Sequence, residues 1–174
     1  LSILMRLLVF FGGPRVTHII LSENMNKKIR LMYPSISKTF VLSNAMFVKE
    51  SPPPQKSKPS DELVIGFLSN ISFDKGIDLF FRTVAKLSDK KIKFKAVIAG
   101  PCVDDSTKRF MEVQLLKYCN VNYLGSVSGK TKKEFFKQID VLLFPTVYFN
   151  EAQPLVIFEA LSYGVAVISN DRGS

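Results

Sequence analysis

The feature of the 174-residue chain that most restricts its fold is a regular alternation of short apolar and amphipathic segments after residue 62. The apolar segments predict strands over Leu63–Leu68, Phe94–Ala99, Val121–Leu124, Val141–Phe144 and Val165–Ser169. The segments between them predict helices over Gly76–Leu87, Ser106–Tyr118, Lys130–Gln138 and Pro154–Tyr163. Strands that alternate with helices predict an α/β fold, in which a parallel sheet is flanked by helices on both faces.

A polar, proline-rich segment divides the chain into two parts. Residues 51–61 contain most of the prolines before the long α/β region and predict an exposed linker. Residues 1–50 form a smaller unit, with helices predicted over Leu1–Phe11 and Asn24–Met32 and strands over Val16–Leu21 and Thr39–Leu42. Residues 62–174 form the larger domain. The chain starts at Leu and stops directly after an apolar run, so we expect a fold that is truncated at both ends.

The formal net charge of +9 suits an anionic partner. Much of the excess lies in two lysine clusters, residues 90–95 and residues 130–133. A solvated surface is the ordinary interpretation of such clusters, and a face towards an anionic membrane is the functional alternative. The chain contains no recognised nucleic-acid motif, so no nucleic-acid partner is expected.

The few cysteine and histidine residues do not indicate a metal site. Cys102 and Cys119 lack metal-ligand spacing and predict reduced thiols in a cytoplasmic protein. His18 is the only histidine, and it lies in an apolar run that predicts a strand. Together with the lack of an Asp-x-Asp motif, this pattern predicts a protein without a bound metal.

The loop between the first long strand and its helix contains a lysine that has two interpretations. Ligands of parallel sheets bind at the carboxyl ends of strands, where this loop lies. Asp74 is predicted to cap the helix, which would place Lys75 in the first helical turn, where the helix dipole disfavours a cation. A bound anion shared by Lys75 and the helix N-terminus would explain the lysine. A solvent-exposed lysine explains it equally well.

Two glutamates bracket the start of another helix at the same edge of the sheet. Pro154 is predicted to occupy the first helical position, which leaves the N–H groups of Leu155 and Val156 free for a phosphate. Glu159 lies in a helix that is apolar nearly all round, so its carboxylate needs partners. Sugar or ribose hydroxyls would serve, and so would an ion pair with a lysine or arginine. Glu151, in the preceding loop, is either part of this site or a solvated acid.

Four stretches of the C-terminal part resemble the donor-binding domain of retaining glycosyltransferases of family 4, which have the GT-B fold. They match in order and spacing, and they are residues 63–76, 96–101, 121–127 and 151–168, the last containing the Glu-x7-Glu motif from Glu151 to Glu159. The resemblance implies a Rossmann-like domain over 62–174. Residues 16–44 resemble, less specifically, the end of the N-terminal GT-B domain.

The resemblance also implies roles for individual residues. Lys75 would bind the diphosphate of the donor, and Val127 would meet the base through its backbone. Glu151 would contact the hydroxyls of the donor sugar and, with Lys75, act in catalysis. Glu159 would accept hydrogen bonds from the ribose, and the backbone of residues 155–156 would hold phosphate.

Two residues depart from the family pattern. Asn70 occupies the donor-site position where the family usually has an arginine that pairs with the lysine, which removes one positive charge from the diphosphate site. Pro154 stands where glycine is frequent and has no N–H to offer, so the phosphate site is altered.

The activity implied by the resemblance is transfer of a hexose from a nucleotide diphosphate sugar to an acceptor hydroxyl, with retention at the anomeric carbon. The donor would be UDP- or GDP-linked, the acceptor a glycan or a lipid-linked molecule, and no metal or cofactor would be obligatory. A role in cell-surface glycan or polysaccharide synthesis is expected. The expected location is the cytoplasm, with a peripheral position at the inner face of the membrane as the alternative. The alternative is a nucleotide-sugar-binding module without transfer activity.

Overall fold

The computed structural model describes residues 2–48 and 62–173. The predicted linker over residues 51–61 lies outside them. The N-terminal part contains helix α1 (Ser2–Gly12), strand β1 (Thr17–Ile20), helix α2 (Glu23–Met32) and strand β2 (Lys38–Val41), followed by a short 3₁₀ helix (Asn44–Phe47). The two strands pair in parallel, with Thr17 opposite Lys38 and Ile20 opposite Val41.

The C-terminal part contains five strands and four helices in strict alternation. The strands are β3 (Leu63–Leu68), β4 (Phe94–Ala99), β5 (Val121–Tyr123), β6 (Val141–Phe144) and β7 (Ala166–Ser169). The helices are α3 (Ile77–Asp89), α4 (Asp105–Lys117), α5 (Gly129–Gln138) and α6 (Leu155–Ser162). All strand pairs are parallel, which confirms the predicted α/β fold.

The two faces of the five-stranded sheet bury different helices because neighbouring side chains on a strand point in opposite directions. On β4, Ala96 and Ile98 pack in a core with α3 and α4, which contribute Phe80 and Met111 among others. Val97 and Ala99 pack in a second core with α5 and α6. This second core contains Phe135, Phe136 and Ala160. Helices therefore cover both faces of the sheet, as the alternation predicts.

The strand order β5-β4-β3-β6-β7 places the topological switch point between β3 and β6. From β3 the chain proceeds to β4 and β5 on one side, then returns to add β6 and β7 on the other. The loops that follow β3 and β6 therefore diverge at their carboxyl ends and leave a crevice, where open α/β sheets bind ligands. The fold thus directs attention to residues 69–76 and 145–154.

In the described part of the chain, no helix combines the length and the apolar character that crossing a membrane requires.

Candidate functional site

A cavity of about 430 Å³ lies at the carboxyl ends of the strands around the switch point. Loops that follow β3, β4, β5 and β6 all contribute to its wall, together with the first turns of α6. The structure brings all seven residues of the predicted site to this cavity, namely Asn70, Lys75, Val127, Glu151, Leu155, Val156 and Glu159.

Lys75 reaches the cavity from a turn that precedes helix α3. The prediction that Asp74 caps this helix and that Lys75 lies in its first turn is wrong. Gly76 is the capping residue, and its φ of 81° turns the chain into the helix, which begins at Ile77. The backbone carbonyl of Asp74 instead accepts a hydrogen bond from Val147 N–H at 2.9 Å, which ties the turn to the loop after β6.

Gly76 is required where it stands because two loops approach each other there. The left-handed conformation favours glycine, and a Cβ at this position would overlap the carbonyl oxygen of Pro145. The close approach holds the turn that carries Lys75 against the end of β6, so the position of the lysine is set by both loops.

The ammonium group of Lys75 is held inside the site. Its Nζ lies 2.6 Å from Oε2 of Glu151, and the two side chains are only 23% and 10% exposed. The same Nζ lies 4.7 Å from the ring centroid of Tyr148, over its face, and such a contact favours a cation. The interpretation of Lys75 as a solvent-exposed lysine therefore does not fit the structure.

Glu151 is a largely covered partner of this lysine and not a solvated loop acid. Besides the ion pair, its Oε2 accepts a hydrogen bond from Thr146 Oγ1 at 3.2 Å. Thr146 is buried and lies two residues beyond strand β6, at the edge of the sheet where ligands bind. Sequence reasoning missed Thr146, although its position just after a strand at this edge was available as a signal.

Glu159 has one oxygen paired and one oxygen free. Its Oε1 accepts from Lys132 Nζ at 2.6 Å. Its Oε2 is buried and has no hydrogen-bond partner within the described residues, although the side chain lines the cavity. Leaving a buried carboxylate oxygen unsatisfied costs on the order of 1–3 kcal/mol, and a hydroxyl donor in the cavity would remove that cost. Both sequence interpretations of Glu159, an ion pair and a ligand contact, are thus compatible with its geometry.

Lys132 is a second site residue that sequence reasoning missed. It belongs to the lysine cluster at residues 130–133, for which a solvated surface was the ordinary interpretation. Its side chain crosses from α5 to Glu159 on α6, and only the packing of the two helices against one sheet face brings these residues together.

The N-terminal end of α6 presents two backbone donors to the cavity. Pro154 is the capping residue, with extended backbone (ψ 120°), and the helix begins one residue later than predicted. The N–H of Ile157 donates to the carbonyl of Pro154 at 3.2 Å. The N–H groups of Leu155 and Val156 have no acceptor among the described residues, and both residues line the cavity.

Ser69 adds a second unsatisfied polar atom to the same wall. Its Oγ is buried without a partner in the described part of the chain, and it lies directly before the exposed Asn70. Val127 lies half-buried in the loop after β5 and packs partly against the core formed by α5 and α6. The cavity therefore offers apolar surface as well as donors and acceptors.

A tyrosine supports the wall of the cavity next to Gly100. The hydroxyl of Tyr123 donates to the Gly100 carbonyl at 2.8 Å and lies 4.0 Å from Cys102 Sγ. Burial, and secondly the neighbouring Cys102 thiol, raise the pKa of Tyr123 above its ordinary value, which keeps the hydroxyl protonated as a donor. Cys102 and Cys119 are both free thiols. No cluster of potential metal ligands occurs within residues 2–48 and 62–173.

Comparison with known proteins identifies relatives of the C-terminal part. Residues 48–174 match the family described as glycosyl transferases group 1. The chain is 32% identical over 116 residues to an uncharacterized glycosyltransferase of Methanocaldococcus jannaschii, covering 65% of this chain and 28% of the relative. It is 28% identical over 133 residues to the phosphatidylinositol N-acetylglucosaminyltransferase gpi3 subunit of Schizosaccharomyces pombe, covering 76% and 29%. The chain thus spans less than a third of the length of these relatives.

Solved structures share the fold at lower sequence identity. A variant of S. aureus TarM, solved with fondaparinux, α-GlcNAc-glycerol and UDP, superposes with a TM-score of 0.74 at 20% identity, covering 97% of this chain and 33% of TarM. Anabaena HepE, solved with UDP and glucose, gives 0.68 at 17% identity, covering 99% and 49%. The chain belongs to the family of group 1 glycosyl transferases and has the α/β fold of the GT-B enzymes.

Proposed function

We propose that this chain is the donor-binding part of a retaining glycosyltransferase, which transfers a hexose from a nucleotide diphosphate sugar to an acceptor hydroxyl. The observation that carries the proposal is the buried, unpartnered Oε2 of Glu159 in a cavity that also holds Lys75 and two free backbone donors. A ribose hydroxyl satisfies the carboxylate oxygen, and a diphosphate accepts from the lysine and the N–H groups.

The proposed chemistry is electrostatic. As the bond to the sugar breaks, negative charge develops on the leaving diphosphate, and Lys75 with the backbone of residues 155–156 stabilises it. Lys75 is paired with Glu151 at 2.6 Å before a donor binds. The donor therefore has to exchange this ion pair for one with its diphosphate, which leaves the Glu151 carboxylate available to the sugar hydroxyls.

The charge balance of the cavity is the main departure from the family pattern. Asn70, an exposed neutral amide, lines the cavity where the resemblance leads us to expect an arginine. The two lysines of the cavity, Lys75 and Lys132, are each paired with a glutamate. We infer that donor affinity depends strongly on Lys75, because no further cationic side chain lines the described wall of this cavity.

The remaining parts of the proposal concern the division into domains, the classes of donor and acceptor, and the location. Residues 1–50 correspond to the end of the N-terminal GT-B domain, residues 51–61 to the linker, and residues 62–174 to the donor-binding domain. A UDP- or GDP-linked donor, a glycan or lipid-linked acceptor, and cytoplasmic synthesis of a cell-surface glycan are proposed with it. A lipid-linked acceptor is supported by the name of the Schizosaccharomyces pombe relative, a phosphatidylinositol N-acetylglucosaminyltransferase subunit. A UDP-linked donor is supported by HepE, which was solved with UDP and glucose. Contact with an anionic membrane through basic surface is part of the same proposal.

Binding without transfer is the second candidate. The ion pair that neutralises Lys75 and the neutral Asn70 both favour it, because they lower the positive charge that stabilises a leaving diphosphate. The fold and the cavity are the same in both cases, so turnover decides between them.

A thermal-shift screen followed by product analysis tests the proposal. We expect one class of nucleotide sugar to raise Tm by about 5–10 °C at roughly 100 times its Kd. Slow hydrolysis of the donor releases a sugar whose anomeric configuration is followed by NMR. Before the anomers equilibrate, the sugar is expected to have the configuration that it had in the donor. A shift without any turnover would favour the binding module, release of the opposite anomer would contradict retention, and no shift with UDP-, GDP- or ADP-linked sugars would contradict both candidates.

A further inference from the structure

Gln153 makes an unusual set of contacts for a residue in a loop. Its Oε1 accepts hydrogen bonds from Asn44 N–H at 2.6 Å and from Ser43 Oγ at 3.1 Å. Its Nε2 donates to the carbonyl of Leu21 at 3.3 Å, and its own backbone carbonyl accepts from Asn44 Nδ2 at 2.7 Å. The Asn44 N–H can only donate, which fixes the orientation of the Gln153 amide.

These four bonds join the two parts of the molecule. The partners of Gln153 are 109–132 positions earlier in the chain, at the end of β1 and at the start of the 3₁₀ helix. Ser43 also accepts from Ala45 N–H at 3.1 Å, so one hydroxyl both caps the 3₁₀ helix and donates to Gln153. A movement of this segment therefore acts directly on Gln153.

Gln153 also stands between the two groups of the cavity that are proposed to handle the donor. It follows Glu151 by two residues and directly precedes Pro154, the cap of α6. Its backbone position constrains the Glu151 carboxylate on one side and the free N–H groups of Leu155 and Val156 on the other. A half-buried glutamine that uses both ends of its amide is well suited to hold such a loop, since it adds no charge beside the Lys75–Glu151 pair.

We propose that Gln153 is a positioning residue that couples the donor site to the N-terminal part of the chain. It fixes the positions of Glu151 and the start of α6 relative to residues 43–44, so donor binding at the cavity stiffens the contact with the N-terminal part. Conversely, the N-terminal part sets the geometry with which the cavity meets a donor. The inference rests on the proposed function, because it takes the cavity to be a nucleotide-sugar site.

The test compares amide hydrogen exchange, followed by NMR, in the unchanged chain and in Gln153→Leu. The probes are UDP-glucose, UDP-N-acetylglucosamine and GDP-mannose. In the unchanged chain, the probe that binds is expected to slow exchange at Leu155 and Val156. It is also expected to slow exchange at least about threefold at Asn44, which does not line the cavity. In Gln153→Leu, Leu155 and Val156 still respond but Asn44 does not, and the affinity falls by about tenfold.

Two further variants exclude a loss of folding as the cause. Gln153→Glu keeps an acceptor for Asn44 N–H and Ser43 Oγ, so it is expected to restore part of the Asn44 response. Gln138→Leu, the same change at an exposed position at the end of α5, is expected to leave all responses unchanged. If Gln153→Leu does not fold, the Ser43→Ala, Asn44→Ala double variant removes two of the bonds from the other side, keeps the bond from the residue 44 N–H, and is expected to weaken the same response.

The outcomes separate this inference from the proposed function. Slowing at Leu155 and Val156 with an Asn44 response that Gln153→Leu leaves intact would overturn the coupling and keep the donor site. If no probe slows hydrogen exchange at any of these amides, the proposed function is overturned, and the coupling with it.

Discussion

At the scale of single residues, the unsatisfied oxygen of Glu159 is the observation that favours a ligand contact beside its ion pair. Lys132 accounts for one carboxylate oxygen at 2.6 Å, and a purely structural pair would leave the second oxygen to water or to a second donor. Here the second oxygen is buried and has no partner among the described residues. In the proposed function a ribose hydroxyl donates to this oxygen, and this role of Glu159 can be measured separately from its charge.

Removal of the ribose hydroxyls and removal of Glu159 are predicted to have non-additive effects. The unchanged chain should bind a nucleoside diphosphate about 10- to 100-fold more tightly than its 2′,3′-dideoxy analogue, because a hydrogen bond to a charged group is lost. In Glu159→Ala the two ligands should bind within about twofold of each other. Calorimetric titrations of both ligands measure the ratio.

Glu134→Ala is the matched control for this measurement. Glu134 also pairs with a lysine, Lys137 at 3.0 Å, but on the exposed face of α5. It should preserve the full preference for the ribonucleotide. A preference that survives in Glu159→Ala would place the ribose elsewhere in the cavity.

At the scale of elements, the positions of strands and helices follow from the sequence far better than their ends do. Strands β3, β4 and β6 lie at the predicted residues, because a buried parallel strand is a mainly apolar run that a polar residue, glycine or proline follows. The start of α3 was predicted wrongly, since Asp74 is a good cap by residue type while Gly76 can adopt a left-handed conformation. The approach of Pro145, in the loop after β6, decided between them, and such a contact has no local sequence signal.

The same limit applies to the site. Lys75 and Glu151 could be predicted because they lie in loops that lead from a strand of the sheet to a helix. Glu159 could be predicted because it is the one acidic residue of the mainly apolar helix α6. Lys132 and Gln153 could not, because their partners lie on other elements, at Glu159 and at residues 21 and 43–44. A residue whose role depends on which helices share a sheet face, or on how two parts of a chain meet, cannot be predicted from local patterns.

The turn that carries Lys75 is predicted to be sensitive to a single methyl group. Gly76→Ala should lower the free energy of unfolding by about 3–5 kcal/mol, because a left-handed backbone and an overlap with Pro145 act together. Gly125→Ala, at a similar φ of 68° but with open space around the added Cβ, should cost only about 1–2 kcal/mol. Urea denaturation measures both values, and equal losses would show that the loop contact at Pro145 contributes nothing.

At the scale of the whole molecule, the two lysine clusters lie at opposite edges of the sheet. Residues 90–95 run from the end of α3 into the first two residues of β4, at the amino end of the strands and away from the cavity. Residues 130–133 lie in the first turns of α5, beside the cavity, and one of them, Lys132, is part of its wall. The net charge of +9 is thus not a single basic surface, and only one cluster is placed to affect a donor.

The two parts of the chain meet beside the site and not away from it. The 3₁₀ helix of the N-terminal part contacts α6, and the bonds of Gln153 lie at that contact. In the proposed coupling, this contact transmits donor binding from the cavity to the N-terminal part.

The proposed function depends most directly on Lys75, the cation that is proposed to receive the diphosphate. Calorimetric titration with the nucleotide sugar that gives the largest thermal shift compares the unchanged chain with Lys75→Ala and with Lys95→Ala, an exposed lysine that pairs with Glu62 at 2.8 Å. Lys75→Ala is expected to weaken binding by about 10- to 100-fold, because a charge-assisted hydrogen bond is lost, while Lys95→Ala is expected to change the affinity by less than about twofold. Equal affinity of Lys75→Ala and the unchanged chain would contradict this role of Lys75.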